Sequence, residues 1–315
     1  MMIRLRPSLV LSGVIPANLL PFTPYLEIDE KNYRKHLRYL VNTEGVNGIT
    51  INGHAAEVAT LNFEEQQYCL NVAIDEVSGK VPVIFGVYSD GTQNAIRLAK
   101  MAEKENANCL LVFPSTVYDY GSYLRPEMAY NHIAKIAEAT SLPIIVFVYP
   151  ITSGLHIRTE NLVRIGAEID NVIAIKEWSN DITVYERNYR ELKKLDKNIS
   201  VLTSFSKALL PSLCIGADGI LSGHGSLIAD LQVALFNAVK NNDLIEGRNL
   251  AKKIYPLAQA FYKEPFLDMH NRMKEANVML GRFDSAYVRP PLQPVTSRER
   301  EEIRSVLVST GLLLA

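Results

Sequence analysis

Cysteine is scarce in this 315-residue chain: Cys69, Cys109 and Cys214 are the whole set. An odd, sparse set builds no disulfide framework, and without a CxxC pair there is no thiolate frame for structural zinc. No HExxH or other regular His/carboxylate spacing points to a metal. An excess of one charge is also missing. Lys and Arg total 33 against 34 Asp and Glu, a net charge of -1, so no field draws in nucleic acid or an acidic membrane surface. No stretch approaches the ~18 unbroken apolar residues of a membrane span. The opening MMIRLRPSLVLSGVIPANLLPF is interrupted by Ser, Gly, Pro and Asn, which suits a first strand and loop rather than a signal peptide. A cytoplasmic protein that handles small molecules, with no nucleic-acid or membrane partner, is the expectation.

Apolar residues are what the chain has in quantity: 48%, against 21% charged, enough for a large core and too little charge for disorder. Short runs rich in Val and Ile alternate with longer amphipathic stretches. Strands are expected at 13–19, 48–51, 81–87, 108–113, 143–149, 172–177, 200–204 and 219–222. Helices are expected at 30–41, 63–77, 90–105, 126–139, 159–167, 182–195, 207–213 and 227–239. Runs such as IIVFV are apolar at every position, as in parallel strands buried on both faces. Eight alternating units favour a closed (β/α)8 barrel over an open doubly wound sheet. No GxGxxG follows the first strand, which weakens the dinucleotide-binding alternative. The barrel is assigned to residues 1–240. Residues 241–315 form a helical extension packed on it, with helices at 243–262, 265–276 and 297–309 and a Pro-rich connector at 289–294; Pro265 and Ser297 suit helix starts.

Catalytic groups in such barrels lie at the C-terminal ends of the strands. The sixth strand reads VIAIKEW. Side chains alternate along a strand, so Ala174 and Lys176 share one face while Ile173 and Ile175 share the other. With the small residue toward the crowded axis, Lys176 points into the mouth, where a desolvated amine becomes a nucleophile toward carbonyl carbon. The competing reading is a lysine that reaches the rim or pairs with Glu177. On the fifth strand, IIVFVYP, Phe147 and Tyr149 share a face; Tyr149 is a candidate proton relay or an aromatic cap. The second strand ends in NGHAAE and sets His54 at its tip, an acid–base candidate or a structural histidine. The eighth ends in LSGHGS, bringing Ser222, His224 and Ser226 to the mouth. That glycine-rich turn also leaves open a phosphate cradle.

These residues make the chain resemble the dihydrodipicolinate synthase / N-acetylneuraminate lyase family of class I aldolases. The resemblance runs from Ser12 to Leu314 and rests on GHAAEVATLNFEEQ (53–66), VPVIFGV (81–87), AIKEW (174–178), GADGILS (216–222) and RPPLQPVT (289–296). It implies the barrel with C-terminal helices, usually a homotetramer, and gives Lys176 the Schiff-base role. Three departures stand out. The family's hydroxyl-bearing turn, which holds the substrate carboxylate, is here Gly53-His54-Ala55-Ala56-Glu57. Its catalytic tyrosine is Phe147. The tyrosine-rich turn after the fourth strand is longer, with Thr116 at the expected tyrosine and Tyr118, Tyr120 and Tyr123 beyond.

The resemblance therefore implies a Schiff-base lyase, aldolase or dehydratase, for a 2-oxo acid, needing no metal or organic cofactor and differing from the lysine-pathway synthase. Gly53 and Ala55 are expected to offer backbone N–H groups to the carboxylate, with His54 a further candidate. Phe147, Thr116, Ser222 and His224 are expected to line the pocket, and a dimer or tetramer is expected. A member that binds 2-oxo or sugar acids without turnover is the alternative.

Overall fold

The computed structural model describes residues 9–314; the first eight residues of the expected opening strand and loop lie outside it. Strands and helices alternate as β1 (Gly13–Pro16), α1 (Glu30–Asn42), β2 (Ile49–Ile51), α2 (Phe63–Val77), β3 (Val83–Val87), α3 (Thr92–Lys104), β4 (Cys109–Val112) and α4 (Glu127–Glu138). They continue as β5 (Ile144–Val148), α5 (Thr159–Glu168), β6 (Val172–Glu177), α6 (Ile182–Leu192), β7 (Ser200–Thr203), α7 (Leu209–Ile215), β8 (Gly219–Ser222) and α8 (Gly225–Lys240). The strands are parallel, in the order β1-β8-β7-β6-β5-β4-β3-β2. Single parallel bridges at Val14–Val46 and Ala17–Thr50 bring the two ends of the sheet together. This is a (β/α)8 barrel. The observed strands are mostly shorter than the apolar runs, because several runs continue into the loops at the mouth.

The two-residue period of the strands sorts their side chains into two layers. Ile145, Phe147, Ala174 and Leu202 fill the axis. Ile144, Val146, Val148, Ile175 and Val201 meet the apolar stripes of the helices. Ile173 is the exception to the expected alternation. Ile144 pairs with Val172 but Ile145 pairs with Ala174, so Ile173 is skipped at a bulge and packs half-buried against the axial cluster rather than beside Ile175. Past the bulge, Phe147 pairs with Lys176. A bulge of this kind re-aims the residues that follow it.

Three helices complete the described chain: α9 (Leu244–Phe261), α10 (Met269–Met279) and α11 (Ser297–Ser309). Ser297 opens α11 as expected, with Thr296 and Glu299 forming a capping box before it. Pro265 does not start a helix; it precedes a 3₁₀ turn at Phe266–Asp268. The buried Arg272 guanidinium gathers the Phe261, Lys263 and Pro265 carbonyls at 3.2, 2.8 and 3.3 Å, which holds that segment out of helical register. Among the described residues no helix is long and apolar enough to cross a membrane, and no group of three His, Cys, Asp or Glu side chains is arranged to hold a metal ion.

Candidate active site

Lys176 closes β6 on the axial face and is 6% exposed. Its Nζ lies 4.0 Å from the centroid of the Phe147 ring, and among the described residues no carboxylate pairs with it. Glu177 is on the opposite face, fully buried, accepting from Asn188 Nδ2 at 3.0 Å and the Ser179 N–H at 3.2 Å. The ring would favour an ammonium by about 0.5–2 kcal/mol. Burial outweighs it and pulls the Lys176 pKa down to about 7, because a charge leaving water without a counter-ion costs more than a ring quadrupole returns.

His54 opens a 3₁₀ turn, His54–Ala56, at the tip of β2, and its Nε2 hydrogen-bonds the Tyr149 hydroxyl. Burial, with Lys176 nearby, depresses His54 to about 3. Burial raises Tyr149 well above the usual phenol range. Both are therefore neutral near pH 7. The Tyr149 carbonyl accepts from His156 Nδ1–H at 2.8 Å, which ties the end of β5 to its loop. The His54 turn is tied down from the other side. Glu57, in the left-handed region at φ 55°, ion-pairs with Lys274 of α10 and accepts the Arg289 N–H at 2.9 Å. Both side chains of that pair are buried.

Two chambers meet at these residues. The inner one, about 20 Å³, is bounded by Lys176, Phe147, Ala55, Ser204 and Tyr262. The outer one, about 540 Å³, begins at Tyr149 and opens toward α10 and the Pro-rich connector. His54, Trp178, Met269 and His270 belong to both walls. A larger hollow of about 640 Å³ lies at the other end of the barrel, around Ser12, Ser200 and Asp218. It is on the side opposite the strand C-termini, where barrels of this kind place their active sites, and its Asp218 carboxylate is held by Lys193 at 2.7 Å.

Residues 10–310 match the model of the dihydrodipicolinate synthetase family.

The chain belongs to the dihydrodipicolinate synthetase family.

The 4-hydroxy-tetrahydrodipicolinate synthase of Methanopyrus kandleri is 31% identical over 304 residues, 96% of this chain and 97% of the relative. The crystal structure of dihydrodipicolinate synthase from Thermotoga maritima superposes with a TM-score of 0.86 at 29% identity, covering 96% of this chain and 99% of that one. A prophage protein of the same family from E. coli K12, crystallised with pyruvate, shares the fold at a TM-score of 0.89 and 22% identity, covering 96% and 100%. Members of the dihydrodipicolinate synthetase family are class I aldolases and lyases, and this chain is an enzyme of that type.

Against the family pattern, the structure brings Lys176, His54, Ala55 and Phe147 to one chamber, with Tyr149 at its outer edge. Gly53 sits just behind, its carbonyl accepting the Ala56 and Val58 N–H groups. Three expected lining residues lie elsewhere. Thr116 is exposed, its N–H on Asp90 Oδ1 at 2.8 Å. Ser222 is buried, its hydroxyl accepting from Gln232 Nε2 at 3.0 Å. The His224 ring turns away from the chamber onto Phe261 and Tyr262, 5.8 and 5.7 Å between centroids. Ser226 donates to the Ala17 carbonyl at 2.6 Å. The glycine-rich turn has no room for phosphate: a Cβ at Gly223 would lie 2.7 Å from His270 Nε2, and one at Gly225 3.1 Å from Pro16. Of the loop tyrosines, Tyr118 packs inward near Met128, Tyr120 is in solvent and Tyr123 lies under Arg158.

His270 is the residue that sequence reasoning missed. It comes from α10, and burial with neighbouring His54 and the lysines lowers it well below the usual imidazole range. Its signal was present: His270, Lys274 and Asn277 repeat at helical spacing on a helix that is buried nearly all round. A polar stripe of that kind has to meet polar partners.

Proposed function

We propose that this enzyme is a Schiff-base lyase, an aldolase or dehydratase, that acts on a 2-oxo acid through Lys176. One observation carries the reading: a lysine amine at the barrel mouth, buried beside a chamber, unpaired and brought down to about 7. At neutral pH much of it is a free amine. It attacks the C2 carbonyl, water leaves, and the iminium becomes an electron sink. The C3–C4 bond can then break, or C3 can lose a proton and C4 its substituent. Hydrolysis returns the amine. No metal or organic cofactor enters these steps.

The other roles follow from position around the amine. The His54–Tyr149 pair, both neutral and hydrogen-bonded, carries the proton of the C4 substituent. The Ala55 N–H, beside Gly53 at the start of a 3₁₀ turn where N–H groups are left over, holds the C1 carboxylate. Phe147 shields the amine from water. A phenyl ring cannot relay protons as the family's tyrosine does, which supports a reaction other than the synthase reaction for which the relatives are named. The same absence is what favours the second reading, a member that binds 2-oxo acids without turning them over.

The test is reductive trapping. Borohydride with pyruvate, the ligand carried by the E. coli K12 neighbour, should add one reduced adduct to the intact mass, at Lys176, and Lys176→Ala should abolish it. A label on another lysine, or none across a panel of 2-oxo acids, would refute the assignment; a label without turnover of any of them would select the binding reading. The exposed Val117, Tyr120 and Leu124 of the β4–α4 loop support self-association, which light scattering of the purified protein checks against a monomer.

A further inference from the structure

We infer that the part of the substrate beyond C3 is uncharged and apolar, leaving as an aryl or alkyl aldehyde in the cleavage direction, and that it lies in the outer chamber. This rests on the Lys176 reading above and adds the substrate class to it.

The inner chamber, about 20 Å³, is far too small to take a substrate's whole length. A chain extending from C3 must pass the shared wall of His54, Trp178, Met269 and His270 into the outer space of about 540 Å³. That space is faced chiefly by Trp178, Phe266, Leu267, Met269, Pro291 and Leu292. Leu267 is 59% exposed, an apolar side chain held at an open rim, where a ligand would cover it.

Charge decides against an acidic tail. No Lys or Arg side chain lines the outer chamber. Of the cations close to its walls, Lys207 stands over the Phe266 ring, 5.1 Å from the centroid, outside the lining, and two others are engaged. Lys274 pairs with Glu57 and donates to the Tyr287 carbonyl at 2.9 Å. The Arg289 guanidinium binds both Glu65 oxygens at 2.9 and 2.7 Å. The wall's own carboxylate, Glu57, is neutralised by Lys274. A carboxylate or phosphate entering here would shed water without gaining a counter-ion.

Hydrogen-bonding capacity decides against a sugar tail. The Thr60 hydroxyl donates to the Glu57 carbonyl at 2.9 Å. The Ser153 hydroxyl accepts the Leu155 N–H at 3.1 Å. The Asn271 amide donates to Asp268 and to the Gln293 carbonyl at 2.9 and 3.1 Å. Among the described residues the wall leaves the Thr152 hydroxyl, the His270 ring and the buried Asn271 Oδ1 without hydrogen-bond partners, fewer than a polyol tail with several hydroxyls needs.

In the cleavage step the C4 hydroxyl gives its proton to the His54–Tyr149 pair. The C3–C4 bond breaks and its electrons enter the iminium to form an enamine. C4 leaves as the aldehyde. The enamine takes a proton at C3, and water hydrolyses the iminium to pyruvate and the free Lys176 amine.

The reverse reaction tests this. Pyruvate is condensed separately with benzaldehyde, succinic semialdehyde and glyceraldehyde by the intact enzyme, with borohydride trapping of pyruvate at Lys176 run in parallel. Benzaldehyde should exceed the other two in kcat/KM by at least ~10-fold, the scale on which apolar pockets discriminate. Trapping intact with either polar aldehyde equal or better, or with no condensation of benzaldehyde, overturns the substrate class and leaves the Schiff-base reading standing. Loss of trapping removes both. Leu292→Arg, on the outer wall, should shift the ratio toward succinic semialdehyde by ~10-fold or more; an unmoved ratio shows that the tail does not lie there.

Discussion

The His54 imidazole, at the tip of β2, and the Tyr149 hydroxyl, just past the end of β5, share a hydrogen bond across the barrel mouth. Neither is charged near neutrality, since burial pulls the imidazole down to about 3 and pushes the phenol well up. Either the phenol donates to a bare Nε2 or an Nε2–H donates to the phenol oxygen. A proton taken from the C4 hydroxyl can pass along this bond, its positive charge replacing the one the iminium loses as the enamine forms, which is the service that Phe147 cannot perform.

Tyr149→Phe should therefore lower kcat by about 10²–10⁴-fold, while borohydride trapping of pyruvate at Lys176 stays intact, because the adduct accumulates over time and pyruvate has no C4 proton to transfer. Steady-state rates and intact mass on the same preparation check both halves. A rate equal to the parent's would move the proton role to His54 alone or to His270.

On the pH axis, kcat/KM should rise with increasing pH through about 7 as the Lys176 ammonium loses its proton. His54 and Tyr149 titrate far outside that range and should add no second limb near neutrality. A pH–rate profile with its acidic limb near 10 would mean that the amine is not desolvated in solution.

Lys176 should also cost the fold stability. The unfolded lysine keeps its proton to about 10.4, whereas the folded one releases it near 7. Between those values the unfolded chain holds the extra proton, so this residue makes stability increase with pH by about 1.4 kcal/mol per unit. Below 7 both states are protonated and the full cost of the buried charge remains. Lys176→Met removes this term, so its stability advantage over the parent should be largest at pH 6 and shrink toward pH 9.5, as measured by urea unfolding. A pH-independent difference would contradict the burial of the charge.

The Glu57–Lys274 pair joins the His54 turn to α10 with both side chains out of water. Glu57→Gln leaves Lys274 without a counter-charge and should destabilise by about 3–5 kcal/mol, with a fall in kcat because the His54 turn loses its anchor. Adding Lys274→Met should recover much of the stability but not the rate. Thermal unfolding and turnover of the two variants distinguish this from a purely structural pair, in which rate and stability would recover together.

What the sequence determined by itself is whatever depends on neighbours along the chain. The continuous apolar runs IIVFV and VIAI identified β5 and β6, side-chain alternation turned Lys176 to the axis and put Phe147 and Tyr149 on one face, and the longer period of the helical stretches located α2 and α11 to the residue. Tertiary structure alone decided what comes from afar. Lys274 meets Glu57 across 217 positions, His270 enters the mouth through the gap that Gly223 leaves, Ile173 drops out of register at a bulge, and His224, on a turn that reads as part of the mouth, faces the C-terminal helices instead. The physical reason is that a periodic pattern states which face of an element is apolar, while the group that meets a polar side chain on that face depends on how separate elements dock. That docking optimises burial and pairing over the whole core at once.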